Sequence, residues 1–269
     1  MKPLAALLCL VSSIASADFS VHFVDVGDGV KVEVLYWGGS GTLPPTYMQS
    51  PGGATVLPAS PNAATSVPEL AEDVWRIIVA LKITKPVVVG HSMAGSEITY
   101  LGQMHSTELG GLIYLDANGD PPDHPWSNQE YRTLVMKSMK DSVVGPPKRT
   151  DADSASVEAY QAYQERIGIF PFPAGEIRAE YEIGADGTVG KYRTPSYVSQ
   201  AIDAGSIPRD YRRITVPVLA FVHCWQDDLK SAVPSAHIGE LPAAHHYLFQ
   251  NEEADVLREL RPFLKKLEH

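Results

Sequence analysis

Apolar residues in the middle of the chain fall into short runs separated by helical patterns. Runs at 87–89, 112–115 and 216–222 have the length and composition of buried strands. Before the first run, apolar residues recur at helical spacing from Ser66, where Glu69 completes a capping box. Helices that alternate with short apolar strands predict an α/β fold with a mostly parallel sheet.

The residues before this pattern predict two further features. Alternating runs at 21–26 and 30–37, joined by the glycine-rich residues 27–29, predict an N-terminal antiparallel hairpin as an edge ribbon. Over 38–64, glycine, proline, serine and threonine dominate without periodicity. No regular structure is expected there, so the sheet is expected to be reduced.

Residues from about 121 to 207 have a different character from the sheet region. Prolines cluster in them, helical patterns occur at 128–143 and 154–167, and no strongly strand-like run intervenes. We interpret this region as a mostly helical lid inserted over the sheet. A short strand at 236–241 and an amphipathic helix at 254–267 are expected to complete the domain.

The first residues have the pattern of a secretory signal peptide. Lys2 precedes a short apolar stretch, and Ala15-Ser16-Ala17 forms a small-x-small cleavage site. We therefore expect a signal peptide at 1–17, a domain at 18–269, and a secreted or periplasmic protein. Cleavage would leave Cys224 as the only thiol, and its place at the end of an apolar run is typical of a core residue.

Composition narrows the classes of partner. The formal net charge of −10 argues against nucleic acid and anionic membranes, because both would be repelled. After the first residues, no apolar run has the length of a membrane span. We expect no cofactor, and apart from the pair His245-His246, no histidine, aspartate or cysteine has recognisable metal-ligand spacing.

The candidate chemistry lies in the segment Val87-Val88-Val89-Gly90-His91-Ser92-Met93-Ala94-Gly95. A buried strand, a turn with small residues and a helix in this order form a nucleophile elbow, which exposes the serine hydroxyl at a sharp bend. The common pattern is G-x-S-x-G, whereas this chain has Ala94 with Gly95 behind it. Alanine is still small enough for the close approach of strand and helix. The alternative is an ordinary turn in which Ser92 caps the helix.

A serine hydroxyl needs a base to remove its proton, and a third group must hold that base. The base is expected after the last strand, where His246 is the candidate and His245 the alternative. A histidine pair without catalytic partners, or a weak metal site, would be the other explanation of these two residues.

The acid should lie between the serine and the histidine in chain order. Asp116 ends the strand that follows the elbow helix and is our candidate. Asp227 or Asp228 is the alternative, beyond the 216–222 run in a segment that looks helical and solvated. Asp120, on the same loop as Asp116, is a weaker candidate.

The elbow, Leu115-Asp116-Ala117 and Ala244-His245-His246-Tyr247 together resemble the α/β-hydrolase superfamily, in particular its esterase-like and cofactor-free haloperoxidase-like members. The resemblance runs from about 23 to 264. It implies a sheet of the α/β-hydrolase type and hydrolysis of an ester or related acyl bond in a small-molecule substrate. It also implies an acyl-enzyme on Ser92 and an oxyanion hole that includes the Met93 N–H. A serine at the elbow disfavours the epoxide-hydrolase and haloalkane-dehalogenase branches.

Family members also carry a strand and a His-Gly type loop before the first helix of the sheet, and this loop completes the oxyanion hole. The sequence shows neither, although Gly52-Gly53 resembles a glycine-bearing loop. Loss of one oxyanion donor costs about 10²–10³ in turnover. The alternative function is therefore a catalytically impaired hydrolase-like binding protein or an internally deleted paralogue.

Overall fold

The computed structural model describes residues 20–27, 30–36, 46–48, 66–92, 94–117, 148–167, 172–193, 209–221, 226–239, 241, 247–248 and 252–267. The strands are β1 Ser20–Gly27, β2 Val30–Tyr36, β3 Thr46–Met48, β4 Val87–His91, β5 Gly111–Leu115, β6 Tyr181–Ile183, β7 Val189–Tyr192, β8 Val218–Phe221 and β9 His237–Gly239. The helices are α1 Val67–Ala80, α2 Ala94–Met104, α3 Val157–Arg166, α4 Ala174–Glu180, α5 Gln226–Ala232 and α6 Glu253–Lys266. Two 3₁₀ turns lie at Ala152–Ser154 and Tyr211–Arg213.

Five strands form one sheet in the order β3-β4-β5-β8-β9, and each neighbouring pair is parallel. The prediction of an α/β fold with a mostly parallel sheet is confirmed. His91 pairs with Leu115, and Leu115 pairs with Phe221, so three neighbouring strands end at the same level. The residues that follow these strands therefore meet at one edge of the sheet, which is where parallel α/β sheets bind their ligands.

Both faces of the central strands are buried. Alternate side chains of a strand point to opposite faces of the sheet, and each set packs against helices. On one face, the residues of these strands belong to a cluster with α1, α2 and α5: Val88, Leu112, Tyr114, Val218 and Ala220. On the other face, they belong to a cluster with α6: Val87, Val89, Ile113, Leu115, Leu219 and Phe221. The result is three layers with the sheet in the middle, as expected of near-continuous apolar strands.

The helix predicted from Ser66 is α1. The Glu69 carboxylate accepts hydrogen bonds from the Ser66 N–H at 2.9 Å and from its hydroxyl at 2.7 Å, which ties the first turn to the residue before it. The strands predicted at 87–89, 112–115, 216–222 and 236–241, and the helices predicted at 154–167 and 254–267, correspond to β4, β5, β8, β9, α3 and α6.

Two expectations about the N-terminal region need correction. The hairpin of β1 and β2 forms as predicted, but it is a separate two-stranded sheet and not an edge of the main one. The stretch at 38–64, expected to lack regular structure, contains β3, which pairs in parallel with β4. Three residues are too few for a periodic pattern, so β3 is defined by its hydrogen bonds to β4 and not by local sequence.

The region interpreted as a helical lid also contains strands. β6 and β7 form an antiparallel hairpin whose turn has Gly187 at φ +88° and Asp186 Oδ1 accepting from the Thr188 N–H at 3.1 Å. The region therefore contains a hairpin although its sequence has no strongly strand-like run. The hairpin packs with α3 and α4 around a third apolar cluster that includes Tyr160 and Ile177. The helix predicted at 128–143 lies outside the described residues.

Candidate active site

Ser92 lies directly after β4 with φ +54°, a left-handed conformation that is rare for residues other than glycine. Such a backbone costs about 1–3 kcal/mol and persists where its surroundings enforce it. Here the Ser92 N–H donates to the Leu115 carbonyl at 3.4 Å, and the Ser92 carbonyl accepts from the Gly95 N–H at 3.0 Å. The side chain is only partly buried. Strand, left-handed serine and helix thus have the backbone geometry predicted for a nucleophile elbow.

The small residues around Ser92 are required by close backbone contacts. A Cβ on Gly90 would lie 3.0 Å from the Ala94 carbonyl oxygen and 3.0 Å from Ile98 Cδ1. A Cβ on Gly95 would overlap the Ala117 carbonyl oxygen. Ala94, the departure from the common pattern, is 1% exposed. The close approach depends on Gly95, one position beyond the glycine of the usual motif.

Asp116 repeats this geometry on the neighbouring strand. It follows β5 directly, has φ +44°, and donates its N–H to the Phe221 carbonyl at 2.7 Å. Because His91 pairs with Leu115, Ser92 and Asp116 are the next residues after two paired positions. The structure therefore places both at the same edge of the sheet, and the Asp116 side chain is partly buried there.

The other predicted site residues are described only in part. Met93, His245 and His246 lie outside the described residues, as do Asp120 and Cys224. Asp227 and Asp228 lie in α5, which confirms the interpretation of their segment as helical, but their side chains are not among those described.

Tyr247, the residue after His246, is buried against the elbow. Its ring centroid lies 5.1 Å from that of His91, the residue before Ser92, and 5.6 Å from that of Phe172. Its hydroxyl donates to Glu176 Oε1 on α4 at 2.9 Å. The chain next to the predicted base therefore packs against the chain next to the predicted nucleophile.

Glu97, on the first turns of α2, is a buried carboxyl that the sequence analysis missed. It is 4% exposed, and its Oε2 has no hydrogen-bond partner among the described residues. Burial raises its pKa to about 7, opposed by a hydrogen bond from its own backbone and by the positive charge of Arg209. The signal was a glutamate within a helix turn whose other positions are mostly small or apolar.

Arg209 was also missed. Its Nε and Nη2 donate to the Ser96 hydroxyl at 3.2 Å and 2.8 Å, and its Nη1 donates to the Ala117 carbonyl. These partners lie 113 and 92 residues away in sequence, so no local pattern could have indicated them. Within the described part of the chain, no group of three or more His, Cys, Asp or Glu side chains could hold a metal ion.

Comparisons with known proteins agree with the fold described above. The family model described as alpha/beta hydrolase fold matches residues 38–146. No curated protein sequence matches the chain significantly.

None of the helices among the described residues has the length and apolar character needed to cross a bilayer.

Solved structures match over most of the chain at low identity. E-2-(acetamidomethylene)succinate hydrolase is 17% identical with a TM-score of 0.67, covering 92% of this chain and 100% of that one. A proline iminopeptidase-related protein from Thermus thermophilus is 16% identical with a TM-score of 0.59, covering 93% and 98%. A thermophilic esterase from Thermogutta terrifontis is 18% identical with a TM-score of 0.51, covering 80% and 76%.

The protein is a three-layer α/β protein with the α/β-hydrolase fold. The family match at residues 38–146 supports the predicted resemblance to the α/β-hydrolase superfamily, and the structural neighbours support the fold.

Proposed function

We propose that the chain is a serine hydrolase that cleaves an ester or related acyl bond in a small molecule through an acyl-enzyme on Ser92. His246 is the base, Asp116 is the acid that orients it, and the Met93 N–H donates to the oxyanion. The fold of a hydrolase, the left-handed Ser92 and its small neighbours support this assignment. We also propose removal of residues 1–17 and a secreted or periplasmic location.

The chemistry follows from these roles. Ser92 Oγ attacks the acyl carbon while His246 accepts the hydroxyl proton. The carbonyl oxygen gains negative charge, which the Met93 N–H stabilises, and the C–O bond breaks as His246 donates the proton to the leaving alcohol. Water then attacks the acyl-enzyme with His246 again as base, releasing the acid and restoring Ser92. Asp116 stabilises the imidazolium in both steps.

The observation that carries the proposal is the contact between Tyr247 and His91. These residues are the sequence neighbours of His246 and Ser92, and their rings lie 5.1 Å apart although their positions differ by more than half of the chain. This packing supports a histidine base that reaches the elbow serine from near the C-terminal end. A serine that only caps α2 would need no such contact.

A fluorophosphonate probe tests the proposal, because it reacts with activated serines. We expect stoichiometric labelling of Ser92, identified by mass spectrometry of the labelled peptide, and hydrolysis of short p-nitrophenyl esters. Ser92→Ala should lower turnover by at least about 10³-fold. Ser154→Ala is the matched control, because this hydroxyl makes a local hydrogen bond, which it donates to the Thr150 carbonyl.

The alternative is a hydrolase-like binding protein without catalysis. It rested on the absence of a strand and of a His-Gly type loop before α1. β3 now lies beside β4 in that part of the sheet, whereas residues 49–65, between β3 and α1, lie outside the described residues. A protein that unfolds cooperatively but shows neither label at Ser92 nor turnover would establish this alternative and refute the proposal. Turnover that survives Ser92→Ala would refute Ser92 as the nucleophile.

A further inference from the structure

We infer that Arg209 is a positioning residue that holds the chain after Asp116 against the first turn of α2, and thereby sets Asp116 relative to Ser92. This inference rests on the proposed roles of these two residues. The contact joins the segment of Arg209 to those of Ser96 and Ala117, and no sequence motif links these segments.

The contacts of the guanidinium define a clamp between two segments of the site. One side of the guanidinium donates twice to the Ser96 hydroxyl on α2, and the third nitrogen donates to the Ala117 carbonyl. Ala117 is the residue after Asp116, and Ser96 is four residues after Ser92. A planar guanidinium with donors at fixed angles can hold both acceptors at once, whereas an ammonium cannot do so in the same geometry.

Gly95 shows how closely the two segments approach. A Cβ at this position would overlap the Ala117 carbonyl oxygen and would lie 2.9 Å from Arg209 Nη1. The carbonyl thus lies directly on the helix backbone, with the guanidinium beside it. The Ala117 carbonyl could not be held here with any larger residue at position 95.

The segment that carries Arg209 is itself anchored. The Asp210 carbonyl accepts from Gln103 Nε2 at 3.1 Å, and the Thr215 N–H donates to Ser106 Oγ at 2.9 Å. Tyr211 is 3% exposed and packs edge-on to Tyr114. Arg209 is therefore delivered to the clamp by a chain segment that lies along α2.

The charge of Arg209 also acts on the buried carboxyl of Glu97, the residue after Ser96. The charge of Arg209 lowers the pKa of the Glu97 carboxyl and so opposes the effect of burial. One oxygen of this carboxyl has no partner among the described residues. Removal of the positive charge would make ionisation of Glu97 still less favourable.

The clamp matters for catalysis because Asp116 lies between two fixed points. Its N–H is bound to Phe221 on one side, and the Ala117 carbonyl is bound to Arg209 on the other. Its left-handed backbone still costs free energy, although aspartate adopts this conformation more readily than most residues other than glycine. Without Arg209, the Ala117 peptide can rotate away from α2, and a shift of about 1 Å in the acid can cost about 10²-fold in rate.

The test measures the rate of fluorophosphonate labelling at Ser92 in Arg209→Gln, Arg209→Lys and Asp116→Asn, and in the double variant Arg209→Gln with Asp116→Asn. We expect Arg209→Gln to lower the labelling rate and kcat by about 10²-fold with little change in KM, and Arg209→Lys to recover part of the loss. If Arg209 acts through Asp116, the double variant should label no more slowly than Asp116→Asn alone.

Arg149 provides the matched control, because its guanidinium donates to the Val189 and Gly190 carbonyls in the α3–β7 region. Arg149→Gln should lower stability without changing the labelling rate. Arg209→Lys keeps the test informative if Arg209→Gln does not fold.

Wild-type protein without label at Ser92 would overturn the proposed function itself. Labelled wild type with normal rates in both Arg209 variants would overturn the positioning role alone. Multiplicative losses in the double variant would equally overturn it, because they would show that Arg209 does not act through Asp116.

Discussion

Replacement of Glu97 by glutamine should increase the stability of the protein relative to wild type as the pH rises. The carboxyl has a pKa of about 7 in the folded protein and 4.5 as its reference value, because burial disfavours the charged form. Its folded pKa is raised, so its favourable contribution is complete below the reference pKa and is lost as pH rises through about 7. Glutamine has nearly the same shape and does not ionise.

The magnitude follows from the two pKa values. A difference of about 2.5 units corresponds to a total of about 3 kcal/mol in the free energy of unfolding. About 2 kcal/mol of this total falls between about pH 5.5 and about pH 8.5, where the folded carboxyl loses its proton and the unfolded one is already ionised. The free energy of unfolding of Glu97→Gln should therefore rise by about 2 kcal/mol relative to that of wild type over this pH interval. This relative change does not depend on whether the two proteins are equally stable at the lower pH.

Urea unfolding of both proteins at several pH values measures this change, provided that the slope with denaturant is the same in both. Glu108→Gln is the matched control in the turn that follows the same helix. The Thr107 hydroxyl lowers the pKa of Glu108, so this carboxyl is ionised in both states over the interval and its substitution should give a flat difference. A flat difference for Glu97→Gln would refute burial as the state of this carboxyl.

Two further pairs of substitutions test the assignment of the site. Asp116→Asn should lower turnover by about 10³–10⁴-fold while Asp227→Asn changes it little, and the opposite order would assign the acid to α5. Tyr247→Phe removes the hydrogen bond to Glu176 and should lower kcat together with the melting temperature, because the ring is held between His91 and α4. Tyr160→Phe, which removes a 2.9 Å bond between phenols on α3 and β6, should lower the melting temperature alone.

The elbow could be predicted because everything that defines it is local. Gly90, Ser92 and Gly95 lie within six residues, and the strand before them and the helix after them have strong patterns of their own. The same holds for α1, whose start is marked by Ser66 and Glu69 in one turn. Backbone geometry that is determined by nearby residues can be predicted from the local sequence.

The features that escaped prediction are defined by contacts across the chain. β3 exists because Thr46–Met48 pairs with β4, and its three residues carry no periodic signal. Arg209 meets Ser96 across 113 residues, and Glu97 is only 4% exposed although it lies on a helix next to the polar Ser96. The hairpin of β6 and β7 is different, because Asp186-Gly187 is a recognised turn signal that the helical pattern of the region outweighed.

The left-handed backbones of Ser92 and Asp116 are held in the same way, by hydrogen bonds to the neighbouring strand. The candidate site therefore depends on several strands of the sheet edge together. Each follows a parallel strand, each has a left-handed backbone, and each donates its N–H to the last residue of the next strand, Leu115 for Ser92 and Phe221 for Asp116. The strained backbone of Ser92 is therefore held by β5, the strand that positions Asp116, and the strained backbone of Asp116 is held by β8. A change in β8 that moves the Phe221 carbonyl should first displace the backbone of Asp116. Because Leu115 precedes Asp116 and accepts from the Ser92 N–H, the displacement should then reach Ser92.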